Sequence, residues 1–296
     1  MISLSRLGSP RLRPYESADE AAVLELLAAD RLPGQPVCTA LMLADALAGR
    51  SVADQAAWAG LDGLVTTVLC TPNGGIDGIV CCAERPCDDA SLILWLHCRD
   101  SSEAAVTLIA RALEWSGARL VCGFPLASAL TRGLIGLPER RSRATHEALL
   151  AVGFTALGQC RYLHAELPVA GLPHLGHVEL KDTVSPAGKR LEVRRCGRVL
   201  AQVFVEHPVG GVGVIRSLTV APDTRGQDLP LGLLGNAMDV LIGFGARETI
   251  VYLDESHDDP EWDLAAALRT YLFADFIEVD RLLTFTRPPR PSETRG

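Results

Sequence analysis

Residues Arg216 to Gly232 hold the types and spacing best suited to binding chemistry. A buried strand is expected to end at Val220, a turn to run from Pro222 to Gly226, and a helix to begin near Leu229. The first N–H groups of such a helix have no intrahelical acceptor and face the turn, making a concavity suited to phosphate. Arg225 beside it adds a charge-assisted donor. Other chemistries are poorly served. His174 and His177 have no third or fourth ligand nearby in the sequence, so a metal pair is rejected. The nine cysteines are odd in number, contain no C-x-x-C, and sit mostly in apolar runs such as Ile79–Ala83 and Leu120–Gly123. They read as reduced core thiols of a cytoplasmic protein, not as a disulfide framework or a zinc knuckle.

The elements that must position these residues follow from pattern. At 296 residues and 48% hydrophobic, the chain can bury the cores of about two domains. The net charge of −8 is spread along it: 14 Lys+Arg against 17 Asp+Glu over 1–165, then 14 against 19. No basic stripe emerges, which argues against nucleic acid or an anionic membrane surface as partner. No apolar run suggests a membrane span or an export signal. In the first half the spacing predicts a short strand at Arg11–Tyr15, a helix capped by Ser17 with Glu20 as its capping-box partner, and a helix over Thr39–Ala48. Strands follow at Leu64–Cys70, Ile76–Ala83 and Ser91–Cys98, the first two joined by a turn at Asn73–Gly75. A helix from Ser101 to Gly117, a strand at Arg119–Cys122, a helix over Thr145–Val152 and a strand at Gln159–Glu166 complete this half. Residues 167–187, rich in Pro, Gly and His, read as a linker. The second half repeats the order: a hairpin at Arg190–Arg195 and Arg198–Glu206, a strand at Gly213–Val220, and a helix over Leu229–Phe244. A strand at Thr249–Asp254, a helix over Trp262–Leu272 and a strand at Phe276–Thr286 follow, and 288–296 form a disordered tail.

The strand Leu218–Pro222, the loop Arg225–Pro230 and the Leu/Ala helix together resemble the signature of the GCN5-related N-acetyltransferase (GNAT) superfamily. A second mark of that family is a helix ending in L-Y-x-x-x-G-F, of which Tyr271 and Phe276 are retained. The first half shows weaker counterparts: Arg99–Ala104 fits R-x-x-S-x-A, and Gly153-Phe154 supplies the G-F. The resemblance implies an α/β fold with mixed sheet, built as two tandem GNAT-like modules over 1–166 and 188–287, the second catalytic.

The same resemblance implies direct acyl transfer from an acyl-CoA, most simply acetyl-CoA, to the amine of a small molecule, without a metal. It assigns Leu218 and Val220 to backbone contacts with the thioester arm. Arg225, Gly226, Gln227, Asp228, Leu229 and Leu231 fall to its phosphates, with Arg99 and Ser102 as the weaker site of the first module. Tyr271 would protonate the leaving thiolate, and Asp254 or Glu255 would accept the amine's proton; Glu206 and His207 are competitors for the latter role. Two departures stand out. Asp228 and Pro230 occupy the family's two glycine positions, adding a negative charge and removing an N–H donor. They leave open two alternatives: a carrier-protein phosphopantetheine, which has no pyrophosphate, as donor, or a non-catalytic acyl-CoA sensor. Leu149 stands where the second module has Tyr271.

Overall fold

The computed structural model describes residues 11–51, 54–99, 101–184, 186–221, 224, 228–255 and 263–289. Two compact units emerge. The first takes Met1–Arg31, Val37–Gly158 and Leu282–Gly296; the second takes Leu32–Pro36 and Gln159–Arg281. These bounds differ from the expected 1–166 and 188–287 because the last strand serves the first unit and a loop from the first half serves the second.

The first unit opens with β1 (Arg11–Pro14), α1 (Glu20–Ala29), α2 (Ala40–Leu47) and α3 (Gln55–Ala59). Then come β2 (Asp62–Cys70), β3 (Ile76–Arg85), β4 (Ala90–Cys98), α4 (Ser102–Ser116), β5 (Leu120–Gly123), β6 (Leu137–Pro138), α5 (Arg143–Ala151) and the start of β7 (Thr155–Glu166). Strand order is β1-β2-β3-β4-β5, antiparallel except between β4 and β5. Side-chain alternation sorts each strand onto two cores. In β3, Val80 and Cys82 join α4 and α5 on one face, while Ile79, Cys81 and Ala83 join α1, α2 and α3 on the other. All nine cysteines are free thiols. Burial pushes Cys81 up to about 12 and Cys38 up to about 11, so both stay protonated and inert.

The capping box lies one residue earlier than Ser17/Glu20. Ser17–Asp19 form a tight 3-10 turn, and Asp19 turns back to accept the Glu16 N–H at 2.9 Å. The same carboxylate takes both Arg13 guanidinium nitrogens at 2.6 Å, which holds it below the usual carboxylate range and ties β1 to the helix entry. The helix expected over Thr39–Ala48 runs from Ala40 to Leu47, and Thr39 is its N-cap, accepting from the Met42 N–H at 3.2 Å.

The second unit contains the rest of β7, then β8 (Glu179–Val184), β9 (Ala187–Arg195), β10 (Arg198–Val209), β11 (Val212–Val220), α6 (Leu229–Gly243), β12 (Glu248–Asp254), α7 (Leu264–Phe273) and β13 (Ile277–Arg287) to Arg281. Its order is β7-β12-β11-β10-β9-β8. Residues 285–287 of β13 belong to the first unit, antiparallel to β5. Cys196 (φ 50°) and Gly197 (φ 80°) are both left-handed, the geometry a two-residue hairpin needs between β9 and β10. One core, on the face of α6 and α7, holds Leu163, Val203, Ile215, Leu233, Leu234 and Tyr271 among others.

Residues 167–187 are not a free linker. Glu179–Val184 is a strand paired with β9, and its alternating pattern is masked in the sequence by the Pro/Gly/His run before it. That run lies along α6. The Leu175 N–H donates to Asn236 Oδ1 at 2.9 Å, and His174 Nε2 meets Asp239 Oδ2 at 2.9 Å. Gly235 makes this approach possible: a Cβ there would stand 2.3 Å from the Pro173 carbonyl oxygen.

Candidate functional site

Each unit contains one parallel strand pair that parts early. β4 pairs with β5 only from Ala90 to Ile93, and β11 with β12 only from Val212 to Ile215. In both, the next residue is a bulge. The β3 register passes from Cys81↔Trp95 to Cys82↔Ile93, skipping Leu94; the β10 register passes from Phe204↔Ser217 to Val205↔Ile215, skipping Arg216. A bulge bends its strand and raises the local twist, so it steers the strand away from its parallel neighbour. It also puts two successive side chains on one face. Leu94 and Trp95 both enter the core under α1–α3, whereas Arg216 and Ser217 are both exposed. The difference has a cause within the second unit: its described elements include no helices corresponding to α1–α3, and Arg216 instead pairs with Glu206 at 2.6 Å.

Beyond the bulge, β11 keeps its β10 partners through Val220, and its other edge leaves β12. Such an edge offers main-chain donors and acceptors to an extended ligand. Leu218 and Val220 lie here, their side chains partly buried on the α6 core and their backbone on the parting edge. Asp228 is the exposed N-cap of α6 without a side-chain cap bond, and the helix's first backbone bond runs from the Gly232 N–H to the Asp228 carbonyl at 3.0 Å. Pro230 in the first turn contributes no N–H, while Leu229 and Leu231 pack their side chains inward. Arg225, Gly226 and Gln227 lie outside the described residues. α6 packs on β9–β11 and α7 on β12, so the two helices flank the parting strands.

The corresponding end of β4 runs into Arg99, exposed and 3.5 Å from Asp77, then Ser101, which caps α4 by accepting the Ala104 N–H at 3.3 Å; Ser102 is the first, exposed helical residue. Here α4 and α5 pack directly on each other through Ala105, Leu108, Ala148 and Leu149.

The predicted catalytic residues are distributed unequally. Tyr271 is 2% exposed, with its ring edge-on to Phe276 at 5.1 Å, and burial pushes its phenol upward, keeping it protonated. The Phe276 N–H donates to the Tyr271 carbonyl at 3.1 Å, just as Phe154 N–H does to Leu149 at 3.1 Å. The intervening Asp275 (φ 58°) and Gly153 (φ 89°) are both left-handed helix-ending residues. Tyr271 and Leu149 are therefore equivalent core positions. Asp254 ends β12 with an exposed side chain. Glu255 is held in place: Arg161 Nε stands 2.5 Å away and Arg281 at 3.1 and 3.2 Å, so its oxygens are committed to two guanidinium groups. Burial, with the charges of Asp254 and Glu255 next, pushes the neighbouring Cys160 up to about 12.

Sequence reasoning missed a second group, in the first unit. Asp30, at the C-terminal end of α1, takes His97 Nδ1 on its Oδ2 at 2.6 Å, and Arg141 Nε lies 3.9 Å from its Oδ1. Asp30, Arg141 and Arg99 border a cleft of about 370 Å³. Asp30 and His97 are 67 positions apart, and no local pattern links them; the α1 periodicity that ends at Ala29 was the only available signal. Among the described residues, no cluster of three or more His, Cys, Asp or Glu has metal-ligand geometry, and no helix is long and apolar enough to cross a membrane.

No family model and no curated protein matches the chain. Solved structures do. A tandem GNAT protein from the clavulanic acid biosynthesis pathway, in a form without AcCoA, is 14% identical with a TM-score of 0.62, covering 96% of this chain and 100% of that one. A GCN5-related N-acetyltransferase from Sphaerobacter thermophilus is 15% identical with a TM-score of 0.59, covering 96% and 98%. An acetyltransferase of the GNAT family from Colwellia psychrerythraea is 11% identical with a TM-score of 0.51, covering 94% and 99%. At these identities the likeness is one of fold, and it spans both units: the chain has the α/β fold of tandem GCN5-related N-acetyltransferases.

Proposed function

We propose that the protein is an acyltransferase that moves an acyl group, most simply acetyl, from an acyl-CoA thioester directly to the amine of a small molecule, with the donor held by the second unit. The observation that carries this reading is the parting of β11 from β12 after Ile215, which frees a strand edge leading to the α6 N-terminus. The acyl-pantetheine arm would lie along Ser217–Val220, its main chain polarising the thioester carbonyl. The amine nitrogen attacks that carbonyl carbon, the C–S bond breaks, the amine's proton goes to a base, and the thiolate takes a proton. We assign the base to Asp254, because Glu255 is held by Arg161 and Arg281. We assign the acid to Tyr271, whose burial keeps it protonated. If so, Tyr271→Phe lowers kcat by about 100-fold or more while the melting temperature barely changes. Full turnover in that variant removes the assignment and leaves the ring as core, like Leu149.

Asp228 and Pro230 at the α6 start favour a second reading, a donor without pyrophosphate on a carrier protein's phosphopantetheine arm, or a module that binds acyl-CoA without turning it over. Thermal shifts with acetyl-CoA, CoA and 4′-phosphopantetheine, alongside an amine-dependent thiol-release assay, separate the three. Stabilisation by none of them sinks the acyltransferase reading. Stabilisation without thiol release, across a broad amine panel, leaves the sensor.

A further inference from the structure

The outer side of α7 does not follow from packing within the second unit. Its inner side is set by Leu264, Leu268 and Tyr271, spaced four and three residues apart and packed into the core. The opposite stripe runs through Ala265, Arg269, Leu272 and Phe273, and Ile277 opens β13 just after the helix. Leu272, Phe273 and Ile277 are 48%, 70% and 59% exposed. Arg269 and Asp275 are exposed as well, and neither has a side-chain partner among the described residues. The first unit supplies an internal control. Because Tyr271 and Leu149 are equivalent positions, Leu272, Phe273, Asp275 and Ile277 correspond to Leu150, Ala151, Gly153 and Thr155. Apart from Leu150 that surface is small or polar, and Glu147, at the place of Arg269, is tied to Arg143 at 2.7 Å. The fold itself therefore does not demand the bulky apolar residues and unpaired charges of α7.

The order of these residues is self-complementary. Arg269 stands three residues before Leu272, and Asp275 three after it. When two copies of α7 meet antiparallel about a twofold axis at Leu272, each Arg269 faces the other copy's Asp275, with Leu272 and Phe273 at the centre. One twofold contact thus forms both ion pairs and covers the apolar stripe, a match that an unrelated partner has no reason to supply. We propose that the protein self-associates through this surface, α7 against α7, into a twofold dimer. Leu272, Phe273 and Ile277 alone fall short of the roughly 800 Å² per partner of a standard interface, so the dimer is weak, with a Kd of about 1–100 μM. The proposal concerns association alone and holds whether or not the protein transfers an acyl group.

Sedimentation velocity of the full chain from about 1 to 200 μM tests it. The expected result is a weight-average mass that climbs with concentration from 31.6 kDa toward twice that value. Phe273→Ala should weaken the dimer by about tenfold, whereas Leu150→Ala at the equivalent surface of the first unit should leave it unchanged. Arg269→Glu and Asp275→Lys each set like charges against each other and should each weaken self-association by about tenfold. Mixing those two variants should restore the parent's affinity, because opposite charges then face each other in both ion pairs. The mixture also answers for folding, since a misfolded variant restores nothing. A single species of 31.6 kDa up to about 200 μM, a dimer indifferent to Phe273→Ala, or a mixture no tighter than its two components each overturns the proposal.

Discussion

If α6 receives the donor's phosphates, Asp228 is the wrong charge in the wrong place, and removing it should improve binding. The carboxylate is exposed at the N-cap and makes no side-chain cap bond, so Asp228→Asn gives up only a helix-dipole contribution of about 0.5 kcal/mol. Against the ligand the change is larger. A carboxylate about 5 Å from one phosphate charge costs about 0.8 kcal/mol in water-like dielectric. The pyrophosphate of CoA brings about two such charges, so removal gains about 1.5 kcal/mol, close to tenfold in Kd. Pantetheine, which carries no phosphate, should gain essentially nothing. Titration calorimetry of parent and variant with both ligands reads the difference, at low ionic strength because the Debye length at physiological salt is only about 8 Å. The gain for CoA should shrink as salt rises. An Asp228→Asn protein with unchanged CoA affinity at low salt, or with equal gains for both ligands, refutes the placement of the pyrophosphate at the α6 N-terminus.

Three further outcomes concern the scaffold. Gly34 has φ 75°, and a Cβ there would stand 2.4 Å from Ile250 Cγ2 and 2.7 Å from His164 Cδ2, while Gln35 next to it donates to Tyr162 and Tyr252 at 3.1 Å. Gly34→Ala should therefore cost about 2–4 kcal/mol and lower the melting temperature by roughly 5–15 °C; a shift below about 1 °C would mean the loop does not seat there. Glu192 is 3% exposed and receives Lys181 at 2.6 Å and Arg194 at 2.8 Å, whose hydrogen bonds depress it to about 2. A depressed carboxylate stabilises the fold above its unfolded pKa, and this contribution fades as pH falls from about 4.5 toward 2; acid unfolding of Glu192→Gln should be flatter across that window. Asp275→Gly relieves a left-handed non-glycine residue at the end of α7 and should stabilise by about 0.5–1 kcal/mol in urea unfolding, whereas Gly153→Ala at the equivalent place should destabilise.

Much of the fold was legible because its long, strongly patterned elements carry their own signals. The strands Ile76–Arg85 and Val212–Val220 and the helices at Ser102 and Leu229 fall close to where period and capping place them. What escaped depended on distant residues or on competing local signals. β8 hid behind a Pro/Gly/His run, because its strand pattern has meaning only once β9 lies beside it. The two bulges are invisible in sequence: Leu94 and Arg216 share no side-chain property, only a place in a register set by the neighbouring strand. Similarly, nothing local in the sequence shows that Glu255 is the carboxylate held by Arg161 and Arg281. The Asp30–His97 pair required the tertiary fold outright.

The way the chain is divided has a bearing on its synthesis. The first unit needs residues 282–287, which are synthesised long after the rest of it, and the second unit borrows Leu32–Pro36, made long before the rest of it. A multidomain chain ordinarily folds from its N-terminus as each domain emerges, at about 5–20 residues per second. Here, for roughly the ten seconds or more that the middle of the chain takes to appear, β5 waits without its outer neighbour. Its open edge and the apolar faces of β3 and β4 are then the surfaces most in need of a chaperone. A gene cut between the two sequence halves would make that waiting state permanent, so two polypeptides of 1–166 and 167–296 should be recovered in folded form only when produced together.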